Sequence, residues 1–334
     1  MEDLASSIEA AAAETGFSGV VRVDIGDGVE ILRAYGMANR SNGIPVTIEC
    51  QFGIASGTKG LTALTVVSLI EAGYLALTTT ARSVLGRDLP LVGGAVTVEH
   101  LLAHRSGIGD YLDEEGDYDV TDYVMPVPVH ELATTEQYLR VLDGHQAKFA
   151  PNEEFSYCNS GYVVLALIAE RVTGASFYDL VEQRVCVPAG MRDTAFLRSD
   201  ELPGRAAVGY LDVEGLRTNV LHLPVRGSGD GGIYSTAADI SVLWAALFEG
   251  RVVSSSWVRQ VLRPRSVDSK ERTRYGLGFW LHESKDVAIL EGCDAGVSFR
   301  SAHDPTRRVT YTVLSNTSRG AWPIARCLDR LLMS

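Results

Sequence analysis

Four polar residues in two short segments have the types and spacing that acyl-transfer chemistry needs. In the first segment, FGIASGTKGLTAL, Ser56 and Lys59 are three positions apart, so a helix there places them on one face. A serine hydroxyl is a poor nucleophile until a base removes its proton, and a lysine amine serves when burial lowers its pKa. The start of that helix also offers the Ser56 backbone N–H to an oxyanion.

The second segment is FSYCNSGYVVLALIAERVTG, in which Tyr157 and Asn159 flank a single residue just before a predicted helix. Asn159 or Ser160 is predicted to cap this helix, and Gly174 to end it. In a cleft, Tyr157 would relay a proton and Asn159 would hold the lysine or a substrate amide. Each segment by itself also fits a structural interpretation: a capped helix with a surface lysine, and a buried tyrosine beside a capping asparagine.

The two motifs together, SxxK and then YxN about 100 residues later, resemble the superfamily of serine β-lactamases, penicillin-binding proteins and family VIII carboxylesterases. Four more segments resemble landmarks of that superfamily in the same order, and the resemblance covers most of the chain: HLLAHRSGI, VPAGMRDTAF, GDGGIYSTAADIS and YGLGFW. The resemblance is of the class C β-lactamase-like type. It implies that Ser56 is the acylated nucleophile, Lys59 the base, Tyr157 the proton shuttle and Asn159 a polar support.

The third motif of the superfamily, a strand ending in Lys-Thr-Gly or His-x-Gly, is altered in this sequence. In VAILEGCDAGVSF, matching Gly292 to the motif glycine puts Leu290 at the cationic position and Glu291 next to it. Neither side chain attracts a substrate carboxylate, and Glu291 repels one if it faces the cleft. The backbone N–H of Cys293 would still complete an oxyanion hole with Ser56, because a backbone donor survives side-chain changes.

An acidic stretch without any Lys or Arg follows Arg105 and continues to Arg140. In the superfamily this stretch borders the cleft, so we interpret it as a lid that selects against anions. A solvated acidic loop is the alternative interpretation. The acids and tyrosines that cluster in its first part are Asp110, Tyr111, Asp113, Glu114, Glu115, Asp117, Tyr118, Asp119, Asp122 and Tyr123.

These observations predict a serine hydrolase that forms a covalent acyl-enzyme with a small, non-anionic ester or amide. The alternatives are a D-amino-acid peptidase or acyltransferase, a β-lactamase or penicillin-binding activity, and a catalytically idle sensing or assembly protein of the same fold. No metal or other cofactor is expected. His100 and His104 have the i, i+4 spacing of zinc ligands but lack the glutamate of zinc peptidases, so a structural role is predicted for His104.

Composition narrows the range of partners. The chain has 334 residues and a formal charge of −12, which argues against a nucleic-acid surface. Its apolar runs are too short to cross a bilayer. The acidic N-terminus lacks the basic start and apolar stretch of a secretory signal, so a cytoplasmic location is expected. Five scattered cysteines fit reduced thiols better than a disulfide framework, and nothing indicates the oligomeric state.

The resemblance implies an α+β fold of the β-lactamase/transpeptidase type, and the predicted elements are compatible with it. A hairpin is predicted over 16–39, a helix over about 56–72, strands from Tyr275 onward, and a last helix over about 321–333. Because strands occur near both chain ends, we expect one central antiparallel sheet flanked by helices. The α/β lobe would comprise approximately residues 1–75 and 250–334, and a mostly helical lobe approximately residues 76–249.

Overall fold

A computed structural model describes residues 2–114, 119–268 and 273–333, and in these ranges an eight-stranded antiparallel sheet is the central element. Its strand order is β2-β1-β12-β11-β10-β9-β8-β7, and two short strand pairs, β3–β4 and β5–β6, lie outside it. The strands are β1 Gly19–Ile25, β2 Gly28–Tyr35, β3 Met37–Asn39, β4 Ile44–Pro45, β5 Phe52–Gly53, β6 Tyr234–Ser235, β7 Ser266–Asp268, β8 Thr273–Tyr275, β9 Trp280–Leu281, β10 Ala288–Asp294, β11 Val297–Asp304 and β12 Val309–Ser315.

Helices cover both faces of this sheet. They are α1 Glu2–Thr15, α2 Thr58–Glu71, α3 Ala81–Leu85, α4 Val98–Leu102, α5 Leu139–Leu142, α6 Asn159–Thr173, α7 Phe177–Val181, α8 Val187–Ala189, α9 Ala237–Phe248, α10 Ser255–Val261 and α11 Ala321–Leu328. Short 3-10 turns occupy Ala55–Gly57, Val129–Glu131 and Thr135–Tyr138, and π-helical turns occupy Glu182–Cys186 and Asp329–Met333. Among the described residues, none of the helices is both long and apolar enough to cross a membrane.

The two ends of the chain meet inside the sheet. The N-terminal hairpin β1–β2 turns at Gly26, whose φ of 60° suits a residue without a side chain. Strand β1 then pairs with the last strand, β12, from Gly19 opposite Ser315 to Ile25 opposite Val309. The sheet is therefore complete only when strands from both ends of the chain have paired.

Alternation of side chains along the strands divides the core into two layers. Ile289 of β10 packs on the side of α1 and α11, and its neighbour Leu290 packs on the side of α2 and α6. Helix α2 is buried on all sides from Thr58 to Leu69. A Cβ on Gly60 would lie 2.4 Å from Leu290 Cδ2, so this glycine allows β10 to approach α2 closely.

The expected fold class is confirmed: the chain has the β-lactamase/transpeptidase-like arrangement of a large antiparallel sheet with helices. Two details differ from the pattern. The run YGLGFWLHES contributes only the end of β8 and the short β9, because Gly278 turns the chain with a φ of 87°. The last helix changes to a π-helical turn after Leu328. The proposed division into lobes near residues 75 and 250 stays a prediction.

Candidate active site

Ser56 lies in the 3-10 turn that leads into α2, on a strained backbone. The residue before it, Ala55, has a φ of 44°, and a left-handed conformation of this kind costs an alanine on the order of 1–2 kcal/mol. The turn is held by the Thr58 hydroxyl, which donates to the Ala55 carbonyl at 2.7 Å. Backbone strain that the surrounding structure enforces is common at functional sites. The strain at Ala55 therefore indicates a functional site at Ser56 independently of the sequence motif.

Lys59 follows one turn later, and its ammonium position is completely surrounded. Nζ is 2.8 Å from Ser56 Oγ, 2.7 Å from Asn159 Oδ1 and 2.8 Å from the Asp230 carbonyl oxygen. The side chain is 1% exposed. Burial lowers the pKa of Lys59, and the negative charges of Asp230, Glu114 and other carboxylates partly oppose that shift. The predicted pairing of Ser56 and Lys59 on one face therefore exists as a direct contact.

Hydrogen bonds to both the oxygen and the nitrogen of its side-chain amide fix the orientation of Asn159. Oδ1 accepts from Lys59, while Nδ2 donates to the Leu112 carbonyl at 2.8 Å and to Glu114 Oε1 at 2.9 Å. The amide is thus unavailable as a helix cap, contrary to the sequence prediction. Asp110 takes that role instead, because its two carboxylate oxygens accept the backbone N–H groups of Asn159 and Ser160 at 2.7 and 2.8 Å.

Tyr157 completes the polar group around the nucleophile. Its hydroxyl lies near the Ser56 side chain, and its ring is stacked on Trp280 with centroids 5.8 Å apart and planes 9° from parallel. Lys59 Nζ lies over the face of the Tyr157 ring, 4.8 Å from the centroid. Burial, followed by the charge of Glu114, raises the pKa of Tyr157 well above its usual range. The phenol therefore keeps its proton at neutral pH.

His104 fixes the position of Tyr157 by accepting hydrogen bonds from the residues on either side of it. The Ser156 N–H donates to the His104 carbonyl at 3.0 Å, and the Cys158 N–H donates to its Nδ1 at 3.1 Å. The imidazole is 1% exposed, and its ring centroid is 4.3 Å from that of Tyr157. Burial and nearby Lys59 hold the pKa of His104 well below its usual range, so the ring is neutral. These contacts agree with the structural role that was predicted for His104.

Strand β10 brings the altered third motif against the nucleophile turn. A Cβ on Gly292 would lie 2.5 Å from both the Ser56 nitrogen and the Ile54 carbonyl oxygen, so only a glycine permits this approach. Cys293 lines the same pocket as Ser56. Leu290 is buried in the core, and Glu291 forms a salt bridge with Arg300 and does not line that pocket.

The pocket beside Ser56 is lined by both carboxylates and apolar side chains. Glu114, Asp230 and Asp294 supply the carboxylates, and the described lining includes neither Lys nor Arg. Burial raises the pKa of Asp230 to about 6 and that of Asp294 to about 7. The walls include Tyr111, Leu112, Val120, Tyr123, Met125, Tyr138, Leu197, Leu223, Val225 and Tyr234.

The acidic stretch borders this pocket, but its members have different roles. Tyr111, Glu114 and Tyr123 line the pocket, and Asp110 caps α6. Asp113 pairs with Lys148, and Asp119 with Arg319. Residues 115–118, which include the predicted members Glu115, Asp117 and Tyr118, lie outside the described residues.

Sequence reasoning missed two acids of the pocket, Asp230 and Asp294. Asp230 stands among glycines in Gly229-Asp230-Gly231, a turn in which a lone acid is a recognisable signal. Asp294 directly follows the predicted oxyanion donor Cys293, so the strand register already placed it near the nucleophile.

All five cysteines are free thiols.

Comparisons with known proteins agree with this fold. Residues 4–331 match the Beta-lactamase family, so the chain belongs to it. A crystal structure of a penicillin-binding protein from Bacillus halodurans superimposes with a TM-score of 0.91 and 34% identity, covering 97% of this chain and 100% of that one. The predicted membership of a family of β-lactamase-related serine hydrolases is confirmed.

Two curated relatives show how varied the family is. Penicillin-binding protein 4* of Bacillus subtilis is 27% identical over 319 residues, which cover 90% of this chain and 68% of that protein. Esterase EstB of Burkholderia gladioli is 35% identical over 186 residues, which cover 54% of this chain and 46% of the esterase. Across four such relatives the chain spans 46% to 68% of their length.

Proposed function

We propose that this protein hydrolyses a small ester or amide through an acyl-enzyme on Ser56, with Lys59 as the base and Tyr157 as the proton donor. The observation that carries the proposal is the set of three contacts made by Lys59 Nζ, each 2.7 to 2.8 Å long. One of them is to the hydroxyl that would attack, and the other two hold the amine in place.

Hydrogen-bond counting supports Lys59 as the base. A neutral amine has two hydrogens and one lone pair. The hydrogens can go to Asn159 Oδ1 and the Asp230 carbonyl, which leaves the lone pair directed at the Ser56 hydroxyl. After the proton is transferred, the ammonium donates all three hydrogens to the same three oxygens. Both charge states are satisfied without movement, so little reorganisation accompanies the transfer.

Tyr157 is better suited to donating a proton than to accepting one. Its raised pKa disfavours a tyrosinate, and Lys59 faces its ring. The hydroxyl lies near the Ser56 side chain, and therefore beside the point where a leaving group departs. The Trp280 and His104 rings fix its direction.

The reaction then has two balanced halves. Ser56 Oγ forms a bond to the carbonyl carbon while Lys59 takes the hydroxyl proton. The oxyanion is bound by the N–H groups of Ser56 and Cys293, and the carbon–heteroatom bond breaks as Tyr157 protonates the leaving alcohol or amine. In the second half, water or another nucleophile attacks the ester carbonyl while the Tyr157 phenolate takes its proton, and Lys59 returns its proton to Ser56 Oγ as the acyl group leaves, so every group regains its starting protonation state.

The charges around the pocket favour a substrate without a carboxylate. Asp230, Asp294 and Glu114 repel anions, and the cationic position of the third motif is occupied by Leu290, an apolar side chain in the core. An ammonium group near Asp294 would be attracted. This specific feature favours a second candidate, an aminopeptidase or amidase acting on amine-bearing substrates, over a β-lactamase or an idle protein.

A series of p-nitrophenyl esters tests this function. Three acyl chains of equal length end in a trimethylammonium, a methyl or a carboxylate group, and nitrocefin is the lactam probe. We expect kcat/KM to fall in that order, with nitrocefin turned over poorly and Ser56→Ala inactive throughout. Since the pKa of Asp294 is raised to about 7, the carboxylate is ionised only at higher pH, so preference for the cation grows as pH rises through that value.

Asp294→Asn isolates the charge effect. It is expected to reduce the preference for the cationic over the neutral ester by about tenfold, which corresponds to about 1.4 kcal/mol. Asp179→Asn, which removes an exposed carboxylate from α7 outside the pocket, is the matched control. Fastest turnover of the carboxylate ester, or nitrocefin hydrolysis at efficient lactamase rates, would rule out the proposed substrate class.

A further inference from the structure

A tight turn of residues 228–231 is attached to the first two turns of α2, directly behind the proposed base. Gly229 accepts from the Thr62 hydroxyl at 2.6 Å, and Asp230 accepts from Lys59 Nζ at 2.8 Å, both through their backbone carbonyls. A Cβ on Gly229 would lie 2.1 Å from the Tyr162 carbonyl oxygen of α6, so the turn is wedged between two helices. The position of Asp230 relative to Lys59 is therefore fixed by backbone contacts.

The Asp230 side chain is held separately from its backbone. Tyr111 donates its hydroxyl to Asp230 Oδ2 at 2.5 Å, and both residues are less than 10% exposed. Tyr111 is itself anchored, since its N–H donates to Ser160 Oγ at 3.0 Å and its carbonyl accepts from the Tyr123 hydroxyl at 2.6 Å. The acyl-transfer steps proposed above use only the Asp230 carbonyl, and its carboxyl group takes no part in them.

Among the charges that act on Lys59, Asp230 has the largest effect opposing burial, ahead of Glu114, Asp110 and Asp294. Besides Ser56 and Asn159, the uncharged groups near the amine include the neutral His104 and the rings of Tyr157 and Tyr162. The carboxyl group of Asp230 is in turn faced by Tyr111, Tyr138, Asp110 and Asp294. Its hydrogen bond from Tyr111 favours the ionised form.

We infer that Asp230 is a positioning residue whose carboxylate sets the charge state of Lys59, and that Tyr111 keeps this carboxylate ionised. The inference rests on the proposed function, because it assigns a charged partner to Lys59, the proposed base. The backbone carbonyl aims the amine at Ser56. The carboxylate raises the proton affinity of an amine that burial would otherwise leave too weak to accept the serine proton.

The test is the pH dependence of Ser56 acylation by a fluorophosphonate. Asp230→Asn keeps the backbone carbonyl and an acceptor for Tyr111 but removes the charge. Lys59 then loses its proton at lower pH, so the acid limb of the acylation-rate profile is expected to move down by about one pH unit. Tyr111→Phe keeps the carboxylate but weakens its ionisation, and a smaller shift in the same direction is expected.

The outcomes separate this inference from the proposed function. A wild-type protein that is folded but not labelled on Ser56 would defeat both. Wild-type labelling with an acid limb that stays in place, or moves upward, in Asp230→Asn would overturn only the role of the carboxylate. A merely structural residue would lower the rate at every pH and leave the limb unmoved. If Asp230→Asn does not fold, the direction of the Tyr111→Phe shift decides in the same way.

Discussion

Replacing Lys59 with methionine is expected to slow acylation of Ser56 by about 10³- to 10⁴-fold, the usual scale for loss of a general base. Methionine has a similar length and fills the buried space, but it cannot accept the Ser56 proton. The loss should appear in kcat and in the labelling rate, because the base acts in the transition state. The measurement is stopped-flow release of p-nitrophenol from a neutral ester.

Measuring the free energy of unfolding separates the loss of the base from damage to the fold. Lys59→Met leaves Asn159 Oδ1 and the Asp230 carbonyl without their donor, but it also removes the cost of a buried amine. Lys285→Met, which removes a lysine whose Nζ donates to the Met333 carbonyl, is the matched control and should retain full activity. A folded Lys59→Met protein that keeps more than a tenth of wild-type acylation would exclude Lys59 as the base.

Gly292→Ala is expected to lower both activity and stability, although it adds a single methyl group. The new Cβ would lie 2.5 Å from the Ser56 nitrogen and 2.5 Å from the Ile54 carbonyl oxygen, which are backbone atoms with no freedom to rotate away. Strand β10 must therefore move away from the nucleophile turn, and the two oxyanion donors separate. Loss of one such donor costs about 10²- to 10³-fold in kcat, and overpacking costs about 1–3 kcal/mol of unfolding free energy.

Gly94→Ala provides the comparison for Gly292→Ala. A Cβ at Gly94 meets nothing within 4 Å, so this variant changes the same residue type without a clash. Its activity and thermal midpoint should remain near those of the wild type. If Gly292→Ala were equally silent in both kcat and thermal unfolding, β10 would not approach Ser56 as described, and the oxyanion proposal would fail with it.

Local patterns were sufficient to predict much of the fold. The hairpin β1–β2 follows from two β-rich runs around a glycine turn, and α2 follows from its apolar spacing and its end near Gly73. Ser56 and Lys59 lie on one face because three positions on a helix span nearly one turn, so their proximity follows from local geometry. For Tyr157 and Asn159, placement near Ser56 came from the family resemblance rather than from local spacing.

Contacts between distant segments could not be predicted in the same way. The cap of α6 was assigned to its own residues, but Asp110 from a separate loop supplies it and leaves Asn159 for Lys59. Asp230 reaches Lys59 only after the chain between them has folded. Such partners depend on tertiary packing, and a hydrophobic pattern contains no information about which acid will arrive there.

The orientation of Glu291 was another question that sequence left open. A strand predicts that neighbouring side chains face opposite sides, but it does not say which side meets the cleft. In the structure Leu290 takes the side of α2, and Glu291 pairs with Arg300, which also contacts Asp329 at 3.1 Å. The sequence argument against a carboxylate site therefore depends on the missing cation, and the repulsion of anions is assigned to Asp294, Asp230 and Glu114.

Mapping a covalent adduct tests the central claim most directly. The folded protein is incubated with a fluorophosphonate at neutral pH, and the intact mass and the modified peptide are determined by mass spectrometry. We predict a single adduct per chain, located on Ser56 and absent from Ser56→Ala. Absence of an adduct on the folded wild type, an adduct on another residue, or unchanged labelling of Ser56→Ala would contradict the assignment of Ser56 as the nucleophile.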